Sequence, residues 1–429
     1  MVSILIEKSR IGGTLRCPSS KSYTHRAIAI ASLAKGKSII NRPLLSRDTI
    51  ATLSASSALG AKIIQHGSRL VVAGTRTLHA PDDIINAENS GTTLRIFAVM
   101  ASLVKKGFTI LTGDASLRKR PMQPVLDALT QLGVECHSSQ MNGFAPLLIK
   151  GGGIRGGNVT IEGNISSQFL SSLLISTIYA RSPVSIHVRG EQVSKPYIKS
   201  TMAVMKKFGV TIDYEKDFLE YHIEKKKYRP TEFDVPADFS TAALLLAAGV
   251  LAGRSITLKG LDFSIPQADS KILEILKEMN AEISVNKNQG EVKVVGTEIL
   301  EGGTFDLIDS PDLLPVVSIL ALKARSPVVV TGVAHTRLKE TDRVANIASQ
   351  IKKFGARVNE EKDKLMITAP RSLQNSTIQA FNDHRLFMAF TIASLLTEKS
   401  VVEGAEHVDV SYPNFLSDLM KLGARIGYQ

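Results

Sequence analysis

The segment Arg337-Leu338-Lys339-Glu340-Thr341-Asp342-Arg343 alternates cations and carboxylates at the start of a predicted helix. On a solvated helix face such alternation makes ordinary i,i+3 and i,i+4 ion pairs. A Lys-Glu pair at a helix start has a second use. It places a cation and a proton-transferring carboxylate in one site, each shifting the pKa of the other. Related chemistry recurs at other predicted helix starts: Lys21, Ser22 and Arg26; Asn89, Gly91, Thr92 and Arg95; Ser166, Ser167 and Gln168; Asp312; and Asp383, His384 and Arg385. Capping accounts for the serines and the asparagine. It does not account for the basic residues, because a cation in the first turns of a helix opposes the dipole. An anion held between Lys21 and Arg95 would offset that cost.

These starts are positioned by an internal repeat. A polar start running into an apolar helix returns six times, about 70 to 77 residues apart, at Ser19, Asn89, Ser166, Ala237, Ser310 and Asn382. A second phrase keeps step with it, a helix end, a turn and a β-prone run: ALGAKII, QLGVEC, KFGVTI, EMNAEI, KFGARV and KLGARIG. Two markers at one period define a repeat architecture. Helix N-termini carry unsatisfied N–H groups and about half a positive charge each, so six of them aimed at one place would trap anions. The fourth start, Ala237 to Thr241, offers no strong ligand and reads as architectural.

The repeated helices are apolar on nearly every face, as in ALLLAAGVLA and FMAFTIASLL, so they are expected to be buried axes. Amphipathic second helices and sheets then cover the outside. The expected fold is a two-domain inside-out α/β barrel, with six βαβαββ-type units, three per domain. The N-terminal domain is placed at 13–230 and the C-terminal domain at 1–12 plus 231–429, with the strand Val2 to Lys8 completing the second. The chain is expected to cross near 12–15 and near 227–233.

A length of 429 residues suits two such domains, and 44% apolar with 21% charged residues is ordinary for a globular enzyme. Aromatics are scarce, with no Trp, which gives no sign of base stacking. The formal charge of +12 fits acidic small molecules, and the one dense basic run, Lys225 to Arg229 before Pro230, reads as a solvated linker. Two isolated cysteines, Cys17 and Cys136, suggest neither a disulfide framework nor a metal site and suit a reducing cytosol. No signal segment or membrane span is expected, since the longest apolar stretch, Ala242 to Gly253, is too short. The glycine run Gly151 to Gly157 lacks the Gly-Lys-Ser/Thr ending of a phosphate loop and reads as a strand connection.

Along its whole length the chain resembles the enolpyruvyl transferase family, on the shikimate 3-phosphate branch. The resemblance rests on Ser20-Lys21-Ser22 with Arg26, Asn89-Ser90-Gly91-Thr92 with Arg95, Arg120-Pro121, Ser166-Ser167-Gln168 and Ser194-Lys195-Pro196-Tyr197. It continues through Pro311-Asp312, Lys339-Glu340-Thr341-Asp342-Arg343 and Asn382-Asp383-His384-Arg385. It implies transfer of the carboxyvinyl group of phosphoenolpyruvate to the 5-hydroxyl of shikimate 3-phosphate, with release of phosphate and without metal or organic cofactor. The implied partners are these small molecules, not nucleic acid or membrane, and the implied state is a cytoplasmic monomer whose domains close over substrate.

Carried over by position, Lys21, Asn89, Gly91, Arg120, Gln168, Arg343 and Arg385 are the implied phosphoenolpyruvate contacts. Ser22, Arg26, Ser166, Ser167, Gln168, Ser194, Tyr197, Asp312 and Lys339 are the implied shikimate 3-phosphate contacts. Asp312 is implied as the base for the 5-hydroxyl, Glu340 as the acid for the methylene carbon, and Lys21 as an aid to phosphate departure. Arg95, His335 and His384 are supporting candidates. Two phosphates and two carboxylates carry roughly −5 to −6, of which six helix ends offset about half, so lysines and arginines must supply the rest.

The chain departs from the family pattern in three places. Val410 stands where many members have a lysine, His335 where many have asparagine, and Arg47-Asp48 where some have two aspartates. Two other readings stay open. A UDP-N-acetylglucosamine enolpyruvyl transferase usually has a reactive Cys before the arginine matched by Arg120; here the loop has Asp114. An RNA 3'-phosphate cyclase needs a late histidine, for which His407 is the candidate.

Overall fold

The computed structural model describes residues 2–75 and 77–428. The chain divides into two compact units, Ser19–Val235 and Met1–Pro18 with Pro236–Gln429. The first unit carries α1 (Lys21–Leu33), α2 (Arg47–Ala58), α3 (Gly91–Ala101), α4 (Gln123–Gln131), α5 (Ser167–Thr177) and α6 (Lys195–Lys207). The second carries α7 (Phe239–Ala252), α8 (Ile272–Glu278), α9 (Leu314–Leu320), α10 (Arg343–Lys353), α11 (His384–Ser394) and α12 (Phe415–Lys421).

Odd-numbered helices are the apolar ones that open each repeat, and they lie inside. Every residue of α7 except Ser240 is buried, and every residue of α11 is buried. In the second unit α7, α9 and α11 pack on one another; in the first, α3 packs against α5 and α1. Even-numbered helices bury one face each: α10 buries Val344, Ile347, Ala348 and Ile351, the i, i+3, i+4 spacing of a single apolar face. The inner helices come close to their sheets where side chains are small. A Cβ at Gly249 of α7 would stand 2.6 Å from Cγ2 of Val294. The fold is therefore α/β with helices inside and sheets outside, and among the described residues no helix is long and apolar enough to cross a membrane.

Among the described residues six four-stranded sheets cover these helices, and in each one edge strand pairs in parallel with its neighbour while the other pairings are antiparallel. In four repeats the parallel pair is a βαβ unit wrapped round the inner helix, as with Gly157–Glu162, α5 and Val184–Arg189. The first repeat of each unit is built differently. Ile11–Arg16 precedes α1 in sequence but pairs with Gly253–Lys259, which follows α7. Glu232–Asp234 precedes α7 but pairs with Gly36–Asn41, which follows α1. The two units thus exchange their leading strands. The crossings fall at Pro18/Ser19 and Val235/Pro236, beyond the expected 12–15 and 227–233, because both expected crossings overlap segments that remain hydrogen-bonded in a sheet.

The strand Ser3–Glu7 lies between Lys399–Glu403 and Arg425–Tyr428 in the second unit, antiparallel to both. The basic run before Pro230 is not wholly solvated. Lys225, Lys227 and Arg229 are exposed, but Tyr228 is buried and its hydroxyl donates to the carbonyl of Ile175 at 2.9 Å.

Candidate active site

The sequence-level candidates collect at the starts of the helices in each unit. Capping explains how those starts are held. In the first unit Ser20, Ser90 and Ser166 accept from backbone N–H groups of α1, α3 and α5. In the second unit Asp238, Asp342 and Asp383 do so for α7, α10 and α11. Serine satisfies a donor without neutralising the positive helix end, whereas aspartate adds a full negative charge. The first unit therefore keeps its anion-attracting ends, and the second partly cancels them.

In the first unit Arg26 is 2% exposed, one turn into α1. Its Nε donates to Oγ1 of Thr201 at 2.7 Å, Nη1 to Oγ of Ser22 at 2.6 Å and Nη2 to the carbonyl of Tyr197 at 3.3 Å. All three acceptors are neutral. Burial, against the smaller influence of Tyr23 and Tyr197, lowers the Arg26 pKa to about 10, so the group stays charged at neutral pH. Ser22, Arg26 and Tyr197 are thus brought together. Thr201, in the middle of α6, carries no signal in the sequence, because its hydroxyl matters only once α6 packs on α1. Ser194 is buried just ahead of α6, with φ of 58°.

A second group surrounds the starts of α3 and α5. Arg120 Nη2 donates to Oδ1 of Asn89 at 3.0 Å, and Asn89 Nδ2 donates to Oδ2 of Asp114 at 2.8 Å. Asp114 also accepts from the N–H of Leu117 at 2.7 Å, so its carboxylate fixes both the Arg120 loop and the orientation of Asn89. Arg95 Nη1 donates to Oε1 of Gln168 at 2.5 Å, and Gln168 Nε2 to Oγ1 of Thr92 at 3.1 Å. Gly91 leaves room for both arginines, since a Cβ there would stand 3.0 Å from Nη1 of Arg95 and 3.1 Å from Nη1 of Arg120. Lys21, the first residue of α1, pairs with Asp48 at 2.7 Å. Ser166 caps α5, and Ser167 is buried beside Gln168.

In the second unit the centre is Arg343, whose side chain is 1% exposed. Its guanidinium donates from Nε to Oδ2 of Asp383, from Nη1 to Oδ1 of Asp312 and from Nη2 to Oε2 of Glu340, each at 2.8 Å. Arg385 Nη2 reaches the other Asp312 oxygen at 2.9 Å. Burial disfavours the Arg343 charge, but Asp383, Glu340 and Asp312 outweigh it and raise its pKa. Burial likewise disfavours the Asp312 charge, yet Arg385, Lys339 and Arg343 hold its carboxyl far below the usual range. His335 is buried; desolvation first and then Lys339 push its pKa down to about 4, so it is neutral at physiological pH. His384, the first residue of α11, is buried too.

The charged block of the sequence therefore splits in two. Arg337 pairs outward with Asp342 at 2.8 Å and Glu360 at 2.9 Å, an ordinary structural network. Glu340 and Arg343 join Asp312, and the Lys339 charge acts on Asp312 as well. Asp269 is 2% exposed and feels the charges of Asp312 and Arg385, a setting invisible in the sequence because an Asp in a polar turn carries no signal of burial. Val410 is buried, and His407 lies 3.8 Å from Glu406 in the turn Ala405–Val410. Cys17 is buried and donates to the carbonyl of Asp238; burial and the Asp238 charge raise its pKa, which makes a reactive thiolate unfavourable. Among the described residues no group of three His, Cys, Asp or Glu side chains could hold a metal ion.

Apolar helices inside sheets, with arginines and buried carboxylates at their starts, define an enolpyruvyl transferase fold. The enolpyruvyl transferase NikO from Streptomyces tendae shares it with a TM-score of 0.79 over 100% of this chain and 99% of that one, at 17% identity. EPSP synthase from Acinetobacter baumannii superimposes with a TM-score of 0.83 at 25% identity, each chain covered completely. The family model for EPSP synthase (3-phosphoshikimate 1-carboxyvinyltransferase) matches residues 6–419. The chain is 44% identical over 421 residues to the 3-phosphoshikimate 1-carboxyvinyltransferase of Nitrosopumilus maritimus, covering 98% of each. It is 42% identical over 431 residues to that of Methanocaldococcus jannaschii, covering 99% of each. The chain belongs to the EPSP synthase family.

Proposed function

We propose that the chain transfers the enolpyruvyl group of phosphoenolpyruvate to the 5-hydroxyl of shikimate 3-phosphate, releasing inorganic phosphate, as a step towards chorismate and the aromatic amino acids. The observation that carries this reading is the family match across residues 6–419, and the carboxylate pair Asp312 and Glu340 on one guanidinium supports it. Asp312 takes the 5-hydroxyl proton as the oxygen adds to C2 of phosphoenolpyruvate, and Glu340 delivers a proton to C3. The resulting tetrahedral adduct then loses the C3 proton back to Glu340 as the C2–O bond to phosphate breaks. Lys21 supports the departing phosphate, and the donors lie in place before charge develops.

Arg26 with Ser22, Ser194 and Tyr197 holds shikimate 3-phosphate, together with Ser166, Ser167 and Lys339. A buried cation with neutral partners is stabilised by an incoming anion, which supports Arg26 in this role. Lys21, Asn89, Gly91, Arg120, Gln168, Arg343 and Arg385 hold phosphoenolpyruvate, with Arg95 fixing Gln168. We read the protein as a cytoplasmic monomer, a reading that the two buried free cysteines suit.

The test is phosphate release by purified protein. Release is expected only when shikimate 3-phosphate and phosphoenolpyruvate are both supplied; release with UDP-N-acetylglucosamine instead of shikimate 3-phosphate would overturn the assignment. The engagement of Asp114 by Asn89 and Leu117 favours the main reading over that alternative. A nucleic-acid reading rests only on the net charge and on His407, which lies 3.8 Å from Glu406.

Gly91→Ala is expected to raise KM for phosphoenolpyruvate about tenfold, ~1.4 kcal/mol, because the new methyl group must displace Arg95 and Arg120. KM for shikimate 3-phosphate should change much less. Equal increases for both substrates would remove Gly91 from the phosphoenolpyruvate contacts.

A further inference from the structure

A line of side-chain hydrogen bonds crosses the apolar interior of the first unit and joins α1, α2 and α3. His25 Nδ1 stands 2.6 Å from Oγ1 of Thr52, Thr52 Oγ1 stands 2.7 Å from Oγ1 of Thr93, and Thr93 Oγ1 donates to Oγ of Ser90 at 2.7 Å. All four residues are buried, at 0% or 1% exposure. Counting protons gives the line one direction. The Thr93 proton goes to Ser90, so Thr52 must donate to Thr93, and His25 must then donate from Nδ1 to Thr52. The other acceptor open to both threonines, the carbonyl of Asp48, is farther away, at 3.5 Å from Thr93 and 3.4 Å from Thr52. His25 Nε2 is left unprotonated, and among the described residues it has no partner. Burial first, then the Lys21 and Arg26 charges, push the His25 pKa well below its usual value, so the ring is neutral.

The line connects two helix starts that carry site residues. Lys21 and His25 stand one turn apart on one face of α1, and their partners Asp48 and Thr52 stand one turn apart on one face of α2. The two helices are thus joined by two rungs, one a partly exposed ion pair at 2.7 Å and the other neutral and fully buried. The contact from Thr52 to Thr93 carries the register on to α3. Ser90, where the line ends, caps α3 and stands between Asn89 and Gly91 in the sequence.

Apolar residues of the same shape could fill this space at little cost in stability. A fully bonded polar chain does something else, because short directional bonds allow one relative position of the helices where apolar packing allows several. Lys21 must give up Asp48 when it turns to a phosphate, and the neutral rung then holds α1 on α2. We propose that His25, Thr52 and Thr93 are positioning residues for phosphoenolpyruvate: their directed chain sets the spacing between Lys21 on α1 and Asn89 and Gly91 at the start of α3. The proposal rests on the assignment of these three contacts to phosphoenolpyruvate.

Two measurements on the full chain test this. The first is the nitrogen-15 spectrum of labelled histidine in the substrate-free protein, with the His25 signal assigned by its loss in His25→Gln. It should show a neutral ring protonated at Nδ1, unchanged between about pH 6 and 8. A proton on Nε2 instead, or a ring that titrates in this range, would overturn the proposal. The second compares KM values for Thr52→Val, which keeps the volume and loses the hydroxyl, and Thr52→Ser, which keeps the hydroxyl. Ser32→Ala is the control, a buried hydroxyl of α1 that donates to the carbonyl of Ile28 at 2.8 Å. Thr52→Val should raise KM for phosphoenolpyruvate about fivefold, roughly the worth of one neutral hydrogen bond, and change KM for shikimate 3-phosphate much less. Thr52→Ser should restore most of the loss, and Ser32→Ala should move neither constant. Should Thr52→Val fail to fold, Thr93→Val takes its place, because the N–H of Thr93 still reaches Ser90 at 3.2 Å and keeps the cap. Equal increases in both KM values, no recovery in Thr52→Ser, or the same increase in Ser32→Ala would reduce the chain to a structural role and overturn the proposal. An unsubstituted protein without turnover on the two substrates would overturn the reading of the site and the proposal with it; normal turnover with an unchanged phosphoenolpyruvate KM in Thr52→Val overturns the proposal alone.

Discussion

Arg343→Met is expected to abolish measurable turnover and to destabilise its unit by about 3–5 kcal/mol at neutral pH, the usual cost of breaking a buried ion pair from one side. The methionine fills much of the same volume, so the loss is mainly electrostatic. It leaves Asp383, Asp312 and Glu340, with side chains 0%, 15% and 12% exposed, without the cation they share. Without it the packed carboxylates repel one another, so the cluster takes up a proton more readily than in the unsubstituted protein, although Arg385 and Lys339 still face Asp312.

A group with a raised folded pKa contributes stability that is full below its unfolded pKa and is lost as pH rises through the folded one. The deficit of the variant should therefore be smallest in mild acid and largest at neutral pH and above. Denaturant unfolding followed at several pH values measures it. An unchanged midpoint at neutral pH would show that Arg343 is not the electrostatic centre of the cluster. Arg343→Lys should recover part of the stability but little turnover, because one ammonium cannot reproduce the fork that meets three carboxylates.

Glu340→Gln is expected to lower kcat by about 10²–10⁴, the usual range for a general acid-base group, with KM for both substrates nearly unchanged. The side chains are nearly equal in size, and the amide oxygen of Gln can still accept from Nη2 of Arg343, as Oε2 of Glu340 does at 2.8 Å. What is lost is the proton. Glu340 as proposed both protonates and deprotonates C3, so the variant should also fail to exchange the methylene hydrogens of phosphoenolpyruvate with deuterated solvent in the presence of shikimate 3-phosphate. Rapid exchange, or parallel losses in kcat and substrate binding, would make Glu340 a binding residue.

Much of the architecture is legible in the residues because it is local. The inner helices are apolar on all sides, as in Ala242 to Ala252, and no surface position suits such a segment. The outer helices carry one apolar face, as in Val344, Ile347 and Ile351. Repetition at one period then fixes the unit, and Ser or Asp before each apolar run marks where a helix starts. The ordered motifs, above all Lys339 to Arg343, were enough to indicate the family before any contact was known.

Three features depend on residues far apart in sequence. The exchange of leading strands is one: Ile11–Arg16 and Glu232–Asp234 are ordinary β-prone segments, and only pairing across more than 190 residues assigns each to its sheet. The balance of charge at Arg343 is another. Its partners stand 31 residues before it, three before it and 40 after it, and burial converts their attraction into the dominant force at the site. Asp269 is the third, a turn residue that the packing of α7 and the turn before α9 around it leaves 2% exposed. By itself the sequence determined the repeat, the helix starts and the residue types they carry, because these follow from local propensity and apolar periodicity. Tertiary structure alone decided which charges meet and which of them lose water, because Coulomb energy and desolvation depend on distance and burial in space.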